Sequence, residues 1–452
     1  MACDRTVAET IETLTERLQT STLLSDRRDA CRGLRSLAKD YRVEVCAQAM
    51  EALLQAIKND RQDSEIVNYC LDSLNYIISG TLGDSPAATW PDADTSQISD
   101  QIYAGGSSNS NSSSMYSSDN AYPGAVAGST TTPVQYVSNS TAVQSSNLKG
   151  HQDASKNASH DPGREMAEIF LKKADNVTTI LDTIIDNDFK TRWVAVRLLC
   201  GLARHQLAMV QDSILSFPLG ISRLTQLITE EQELIRNDAL VLFVRLTQYN
   251  QNIQNLVAFE NCFDKIMYIM QLEGYLDGTV AVVMDCLNIL LNLTRYNESN
   301  QILFREGAHI QKLMPFFNSI KTIQWTNEKT ACLVLALQIV DSMIVPTNSP
   351  VHVQACQSIM QRCGLLDKLC ELLTATAMPI GILSETMNTA SDIIRGHLGP
   401  NANMVMQTSA MMPVLLLSMV KEMCQDQEKR ISDLYNYMNV LHDFVANSRA
   451  PS

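Results

Sequence analysis

The chain of 452 residues is long enough for two or three ordinary domains or for one extended repeat array. Apolar residues make up 45% of it and aromatic residues only 6%, a balance that favours packed helices over sheets. The net charge of -14 argues against direct binding to nucleic acid or to anionic lipid.

The beginning of the chain predicts neither secretion nor membrane insertion. Residues 1–17 are polar and of mixed charge, whereas a secretory signal needs an apolar core. No stretch reaches the roughly 18 apolar residues that a membrane-spanning helix requires. We therefore expect a cytoplasmic chain whose association with membranes is peripheral and goes through partners.

A repeated helical phrase organises the rest of the chain. Its apolar residues have the spacing of an amphipathic helix. The clear copies are ACRGLRSLA (30–38), YCLDSLNYI (69–77), VRLLCGLA (196–203), LVLFVRLT (240–247) and LNILLNLT (287–294). Weaker copies follow at 331–344 and 383–395. A second helical segment precedes most copies, as at 43–58, 177–185, 221–228 and 263–270.

The period of the copies identifies the type of repeat. Aligned positions recur at steps of 40, 44 and 47 residues, with one long gap after the second copy. Such steps fall in the armadillo/HEAT range. The prediction is an all-α, armadillo/HEAT-like helical-repeat solenoid of roughly seven units, with a disordered insert.

Aligning the clear copies predicts a row of partner-binding residues. One structural position is occupied by Ser36, Tyr76, Gly201, Arg245 and Asn292. Armadillo repeats line a concave groove with such a position, so we interpret this ladder as a candidate binding surface. The alternative, that these residues only space adjacent helices, stays open.

The long gap between copies predicts the disordered insert, at residues 84–163. The run 105–120 is half Ser, and only four charged residues lie between 101 and 160. Such a segment cannot bury enough apolar surface to offset the entropy of ordering it. We place N-terminal repeats at 1–83 and the main repeat array at 164–420.

Residues 421–452 are predicted to form a divergent C-terminal helix and tail. Apolar residues from Ile431 to Val445 follow a 3-4-3-4 spacing. This spacing fits a short coiled-coil seam or an amphipathic helix lying on the last repeat, and both interpretations stay open.

The sequence contains none of the common catalytic or metal-binding motifs. A Gly-rich phosphate loop, Gly-x-Ser-x-Gly and His-Glu-x-x-His are all absent. Cys356, Cys363 and Cys370 recur every seven residues, but no C-x-x-C pair completes a zinc pattern. We predict no catalytic residue, no metal and no cofactor, and therefore no enzyme.

Several short phrases occur in the order of a known family. They are STLLSDRRDA (21–30), YRVEV (41–45), DSEI (63–66), IRND (235–238), VAFEN (257–261), EG (306–307), VPTN (345–348), CGLL (363–366) and the segment 385–396. Together they cover 9–80 and about 164–420. This set resembles the armadillo-like head region of the general vesicular transport factor, a family of vesicle-tethering golgins of the Golgi.

The resemblance implies a head that dimerises, binds a Rab-type small GTPase and engages the oligomeric Golgi tethering complex. It also implies a tether in ER-to-Golgi and intra-Golgi transport, peripheral on Golgi membranes, that acts before membrane fusion. Family members continue into a long coiled coil and an acidic tail. If the chain is a natural short form, one hypothesis is that it binds the GTPase without bridging membranes and competes with a longer form; whether it tethers or competes stays open.

The alternative function is an armadillo-type adaptor in nuclear transport or signalling. An importin-like groove carries a ladder of Trp and Asn residues, whereas this chain has only Trp90, Trp193 and Trp325. The sequence therefore favours the vesicle tether.

Overall fold

The computed structural model describes residues 2–80, 162–186, 188–318, 323–375 and 378–394. Within these ranges the regular structure is helical and contains no strand, so the all-α prediction is confirmed. Apart from Pro162 and Gly163, the predicted insert lies outside the described residues, and so do the C-terminal helix and tail at 421–452. Those boundaries stay predictions.

The helices before residue 81 are long. They are α1 (Ala2–Thr20), α2 (Leu24–Asp40), α3 (Arg42–Asn59) and α4 (Ser64–Ser79). From residue 162 to residue 259 the helices are α5 (Gly163–Leu171), α6 (Ala174–Thr183), α7 (Phe189–His205), α8 (Leu207–Ser216), α9 (Gly220–Gln226), α10 (Glu233–Leu246) and α11 (Gln251–Phe259). A 3-10 turn, Leu227–Thr229, follows α9.

The remaining described helices complete the array. They are α12 (Cys262–Leu272), α13 (Val280–Thr294), α14 (Glu298–Glu306), α15 (His309–Lys312), α16 (Pro315–Asn318), α17 (Asn327–Ser342), α18 (Pro350–Arg362), α19 (Leu365–Thr374) and α20 (Ile380–Ile394).

One helix from each repeat contributes to a continuous row. Among the described helices, α2, α4, α7, α10, α13, α17 and α20 each pack against the next, and we call this row the inner helices. The five clear copies of the repeated phrase and the two weaker ones fall on them in chain order. Helices α4 and α7, on either side of residues 81–161, are direct neighbours. The predicted helical-repeat solenoid is confirmed.

The core of the array is aliphatic. Leu71, Leu198, Leu242 and Leu290 are inaccessible to solvent, each on a different inner helix. One repeat cannot bury its apolar face alone, whereas stacked neighbours bury a continuous core. The cysteines inside the phrases are buried with them, as a reducing compartment permits.

Polar side chains fix where the helices start. Asp63, Asp188, Asn250, Asn297 and Thr326 each accept a hydrogen bond from the backbone N–H three residues further on. Each cap satisfies a donor that the first turn leaves unpaired, and is worth about 1 kcal/mol.

A buried glutamine recurs near the ends of the inner helices. Gln301 on α14 donates its amide to the Thr294 carbonyl at 2.9 Å and to the Ser342 carbonyl at 3.0 Å, which joins the ends of α13 and α17. Gln211 similarly donates to the Leu246 carbonyl at the end of α10, at 3.0 Å. Helix ends leave carbonyls without intrahelical partners, so these amides complete the hydrogen bonding of the stack.

Candidate partner-binding surface

The five ladder residues lie at equivalent places on five consecutive inner helices, α2, α4, α7, α10 and α13. Ser36 is exposed, Tyr76, Arg245 and Asn292 are half-buried, and Gly201 is buried. The inner helices thus carry the ladder in register, but its members differ in how far they reach the surface.

Gly201 lies where two inner helices approach closely. A Cβ atom at this position would lie 2.4 Å from the Ser79 hydroxyl oxygen and 3.4 Å from Ile78 Cγ2 on α4. The first distance is far below van der Waals contact, so the absence of a side chain permits the packing of α7 on α4.

Asn292 also makes contacts between helices. Its Nδ2 donates to the Val244 carbonyl on α10 at 2.9 Å and to the hydroxyl of Thr247, the residue directly after α10, at 3.1 Å. Gly201 and Asn292 therefore have helix-spacing contacts. A binding role for the ladder stays a prediction.

Arg245 is partly shielded from water. Burial lowers the pKa of its guanidinium below the usual value for arginine. The group stays charged at neutral pH, because arginine starts far above it.

Residues one helical turn from the ladder share its face, because positions three and four apart lie side by side on a helix. We define the inner strip as the ladder together with the positions four before and three after it. The added positions are Arg32, Asp72, Arg197, Val241 and Asn288, and Lys39, Ser79, Arg204, Gln248 and Arg295.

The inner strip is basic although the chain is acidic. Its cations are Arg32, Lys39, Arg197, Arg204, Arg245 and Arg295. Its one acidic residue, Asp72, is buried and ion-paired with Arg35 at 2.8 Å and Lys190 at 3.1 Å. Over the whole chain acidic residues outnumber basic ones by 49 to 35, so the strip is a local reversal of charge.

Aromatic rings support three of these cations, of which Arg32 lies 5.5 Å from the centre of the Tyr69 ring. The Lys39 ammonium lies 5.4 Å from the centre of the Tyr76 ring, and the Arg197 guanidinium lies 5.1 Å from that of Trp193. Phe189 stacks on Trp193 with ring centres 6.3 Å apart. Such contacts stabilise a cation over the ring face and limit its freedom.

Trp193 is itself fixed by a hydrogen bond between repeats. Its indole Nε1 donates to the Asp238 carboxylate on α10 at 2.9 Å. Burial raises the pKa of the Asp238 carboxyl, while this hydrogen bond opposes the rise. The aromatic platform therefore has a fixed orientation across α7 and α10.

Several arginines are neutralised between helices, including Arg32 of the strip, which pairs with Glu65 on α4 at 3.2 Å. Arg28 pairs with Asp63 at 2.7 Å and Arg236 with Glu273 at 2.6 Å. By contrast, Lys39 and Arg204 are exposed, and neither lies within 4.0 Å of a carboxylate of the described residues. These two charges are available to a ligand.

The described residues contain no group of three or more His, Cys, Asp or Glu placed to hold a metal ion. Among those residues there is also no helix long and apolar enough to cross a bilayer.

Sequence reasoning aligned the ladder but missed the strip. Lys39 and Arg204 are separated by a long stretch of chain that includes the predicted insert, and no local run of basic residues marks either of them. The signal that finds them is the repeat alignment itself, read one turn to each side of the ladder.

Comparison with known proteins identifies the type of repeat. Residues 322–382 match the family model described as the armadillo tether-repeat of vesicular transport factor. The crystal structure of Uso1-2 superimposes with a TM-score of 0.66 over 87% of this chain and 52% of that one, at 23% identity. This likeness shows the fold.

Curated relatives extend the match over most of the chain. Human general vesicular transport factor p115 is 38% identical over 392 residues, which are 86% of this chain and 34% of the human protein. Intracellular protein transport protein USO1 of Saccharomyces cerevisiae is 26% identical over 76% of this chain and 17% of its own length. The chain thus spans about a third of the human relative. By this relationship and its tether-repeat, the chain belongs to the general vesicular transport factor family.

Proposed function

We propose that this chain acts in vesicle tethering for ER-to-Golgi and intra-Golgi transport, as a protein-binding repeat array without catalysis. The observation that carries the proposal is its relationship to human p115 over 86% of its own length. A stacked array suits this role, because it presents a long, rigid surface to folded partners or extended segments.

The proposed partners are a Rab-type small GTPase and the oligomeric Golgi tethering complex. We further propose a homodimer that is cytoplasmic and peripheral on Golgi membranes, where partners hold it. The ladder of Ser36, Tyr76, Gly201, Arg245 and Asn292 is proposed as part of the binding face. Tyr76 and Arg245 support this, because both are partly open to solvent at ladder positions on α4 and α10.

Retention of purified Golgi Rab-type GTPases on the immobilised chain tests the proposal. At least one GTPase is expected to be retained in its GTP-loaded form and released in its GDP-loaded form. Equal retention of both forms, or none of either, contradicts the proposed function.

A further inference from the structure

The inner strip contains a continuous basic and aromatic segment across four inner helices. It runs from Lys39 on α2, past Tyr76 on α4 and Arg197 and Arg204 on α7, to Arg245 on α10. Asp72, the acidic residue of the strip, is buried and neutralised there by Arg35 and Lys190. The segment therefore presents positive charge on a protein whose net charge is -14.

Contacts with aromatic rings hold two of the strip cations in place before a ligand binds. Lys39 lies against Tyr76 and Arg197 against Trp193, at 5.4 Å and 5.1 Å from the ring centres. A side chain already held on a ring loses less conformational entropy when it meets a carboxylate.

The size of the strip limits the shape of the ligand. Packed helices lie about 8–10 Å apart, so the distance from α2 to α10 is about 30 Å. An extended chain covers this distance with roughly nine residues. A row of cations with this spacing, two of them held on the rings of Tyr76 and Trp193, is complementary to an extended segment rich in carboxylates.

We propose that the inner strip between α2 and α10 binds an extended acidic segment of a partner protein. This inference rests on the proposed function, in which the ladder face binds partners, and it names the chemistry of one such partner. Carboxylates pair with Lys39 and Arg204, which are exposed and lie more than 4.0 Å from every described carboxylate. Arg295 is left out because its charge acts on Glu385, where it opposes the rise that burial gives the pKa of that carboxyl.

The test measures fluorescence anisotropy of a labelled peptide of about ten residues, half of them Asp or Glu and one Tyr, with the full chain. A second peptide has Asn and Gln in place of its acids. The chain is expected to bind the acidic peptide and not the amide peptide. Added salt is expected to weaken binding, because exposed charge pairs are screened.

A matched pair of variants locates the site. Lys39→Glu combined with Arg204→Glu is expected to weaken peptide binding by about tenfold. Lys58→Glu combined with Lys172→Glu changes the net charge equally at exposed positions off the strip, and should leave binding within about twofold. Lys39→Gln with Arg204→Gln should give an intermediate loss. Circular dichroism checks that each variant keeps its helices.

Several results overturn the inference. The first is failure of the wild-type chain to bind the acidic peptide, and the second is an equal loss of peptide affinity in both pairs of charge-reversal variants. The third is loss of self-association, with peptide binding unchanged, in the Lys39→Glu and Arg204→Glu variant. That result would identify a second copy of the chain as the occupant. A fourth is unchanged peptide binding with loss of binding to phosphatidylserine vesicles, which would identify a lipid surface. Nucleotide-dependent retention of the GTPase is measured in a separate experiment. Its failure would contradict the proposed function, whereas the peptide measurements alone decide whether the inner strip binds an acidic segment.

Discussion

The side-chain amide of Asn292 on α13 donates a hydrogen bond to the hydroxyl of Thr247, which caps the end of α10, 3.1 Å away. A second bond runs from the same nitrogen to the Val244 carbonyl at 2.9 Å. One ladder residue thus ties two consecutive repeats together. This role follows from geometry and does not depend on any partner.

Asn292→Ala should therefore destabilise the array. Loss of the two bonds leaves the Val244 carbonyl and the Thr247 hydroxyl without this donor, and about 1–2 kcal/mol of unfolding free energy is expected to be lost. Chemical denaturation measures the change. Asn288→Ala, one turn earlier and without a described side-chain hydrogen bond, should stay within about 0.5 kcal/mol. Equal effects of the two substitutions contradict the assigned role.

Gly201→Ala tests the close approach of α7 to α4. The new Cβ would lie 2.4 Å from the Ser79 hydroxyl oxygen, so overpacking is expected to cost about 1–3 kcal/mol. Removing the hydroxyl with Ser79→Ala in the same chain should recover much of that loss. If the double variant is no more stable than Gly201→Ala alone, the clash is not the cause.

The pH dependence of stability should change with Asp285→Asn. Burial raises the pKa of the Asp285 carboxyl from 3.8 to about 7. Because the pKa is higher in the folded chain, the favourable contribution of Asp285 to the free energy of unfolding is complete below pH 3.8. It is lost as the pH rises through 7. The stability of the variant relative to wild type should therefore rise by about 2–4 kcal/mol between pH 4 and pH 8.

Asp264→Asn is the control of opposite sign. A hydrogen bond from Lys312, 2.6 Å away, lowers the pKa of the Asp264 carboxyl. Its favourable contribution is present above the unfolded value of 3.8 and is lost as the pH falls through the lowered value. Relative to wild type, this variant should lose stability from low to neutral pH. Parallel profiles for both variants contradict the burial of Asp285.

His309 should make the array sensitive to mild acid. It is buried against Phe263 and Phe304, with ring centres 5.4 Å and 5.2 Å away, and burial together with Lys312 lowers its pKa from 6.5 to about 4. Asp264 lies 3.9 Å from Nδ1 and partly opposes that fall. The favourable contribution of neutral His309 to the free energy of unfolding is present above pH 6.5 and is lost as the pH falls toward 4.

His309→Gln should remove this component of the acid sensitivity. Urea denaturation at pH 7.5 and pH 4.5 is expected to show a loss for wild type that exceeds the loss for the variant by roughly 2–3 kcal/mol. An identical loss in the two proteins would show that His309 takes up its proton equally well in the folded chain.

The repeat architecture is readable from sequence for a physical reason. Each inner helix buries one face against two neighbours, so the same apolar spacing returns in phrases such as 240–247 and 287–294. The alignment placed Asn292 and Arg245 correctly on consecutive inner helices. It does not distinguish a spacing contact from a binding position, because both require a polar or small residue at the edge of the core.

The repeated apolar spacing does not predict contacts between side chains that are far apart in the sequence. Gln301 reaches the Ser342 carbonyl, and Trp193 reaches Asp238, through the angle at which neighbouring repeats stack. Amphipathic spacing says nothing about that angle. Lys39 on α2 and Arg204 on α7 share one surface because α4 packs between these two helices, which the amphipathic spacing does not indicate.

Site-specific photocrosslinking tests most directly the claim that the ladder binds a partner. A photoreactive phenylalanine replaces Tyr76 on the ladder in one variant and the exposed Lys58 on α3 in another. Each is irradiated with a purified Golgi Rab-type GTPase loaded with GTP or with GDP. The account predicts a GTP-dependent adduct from position 76 and little from position 58. GTP-dependent adducts from position 58 alone would contradict it.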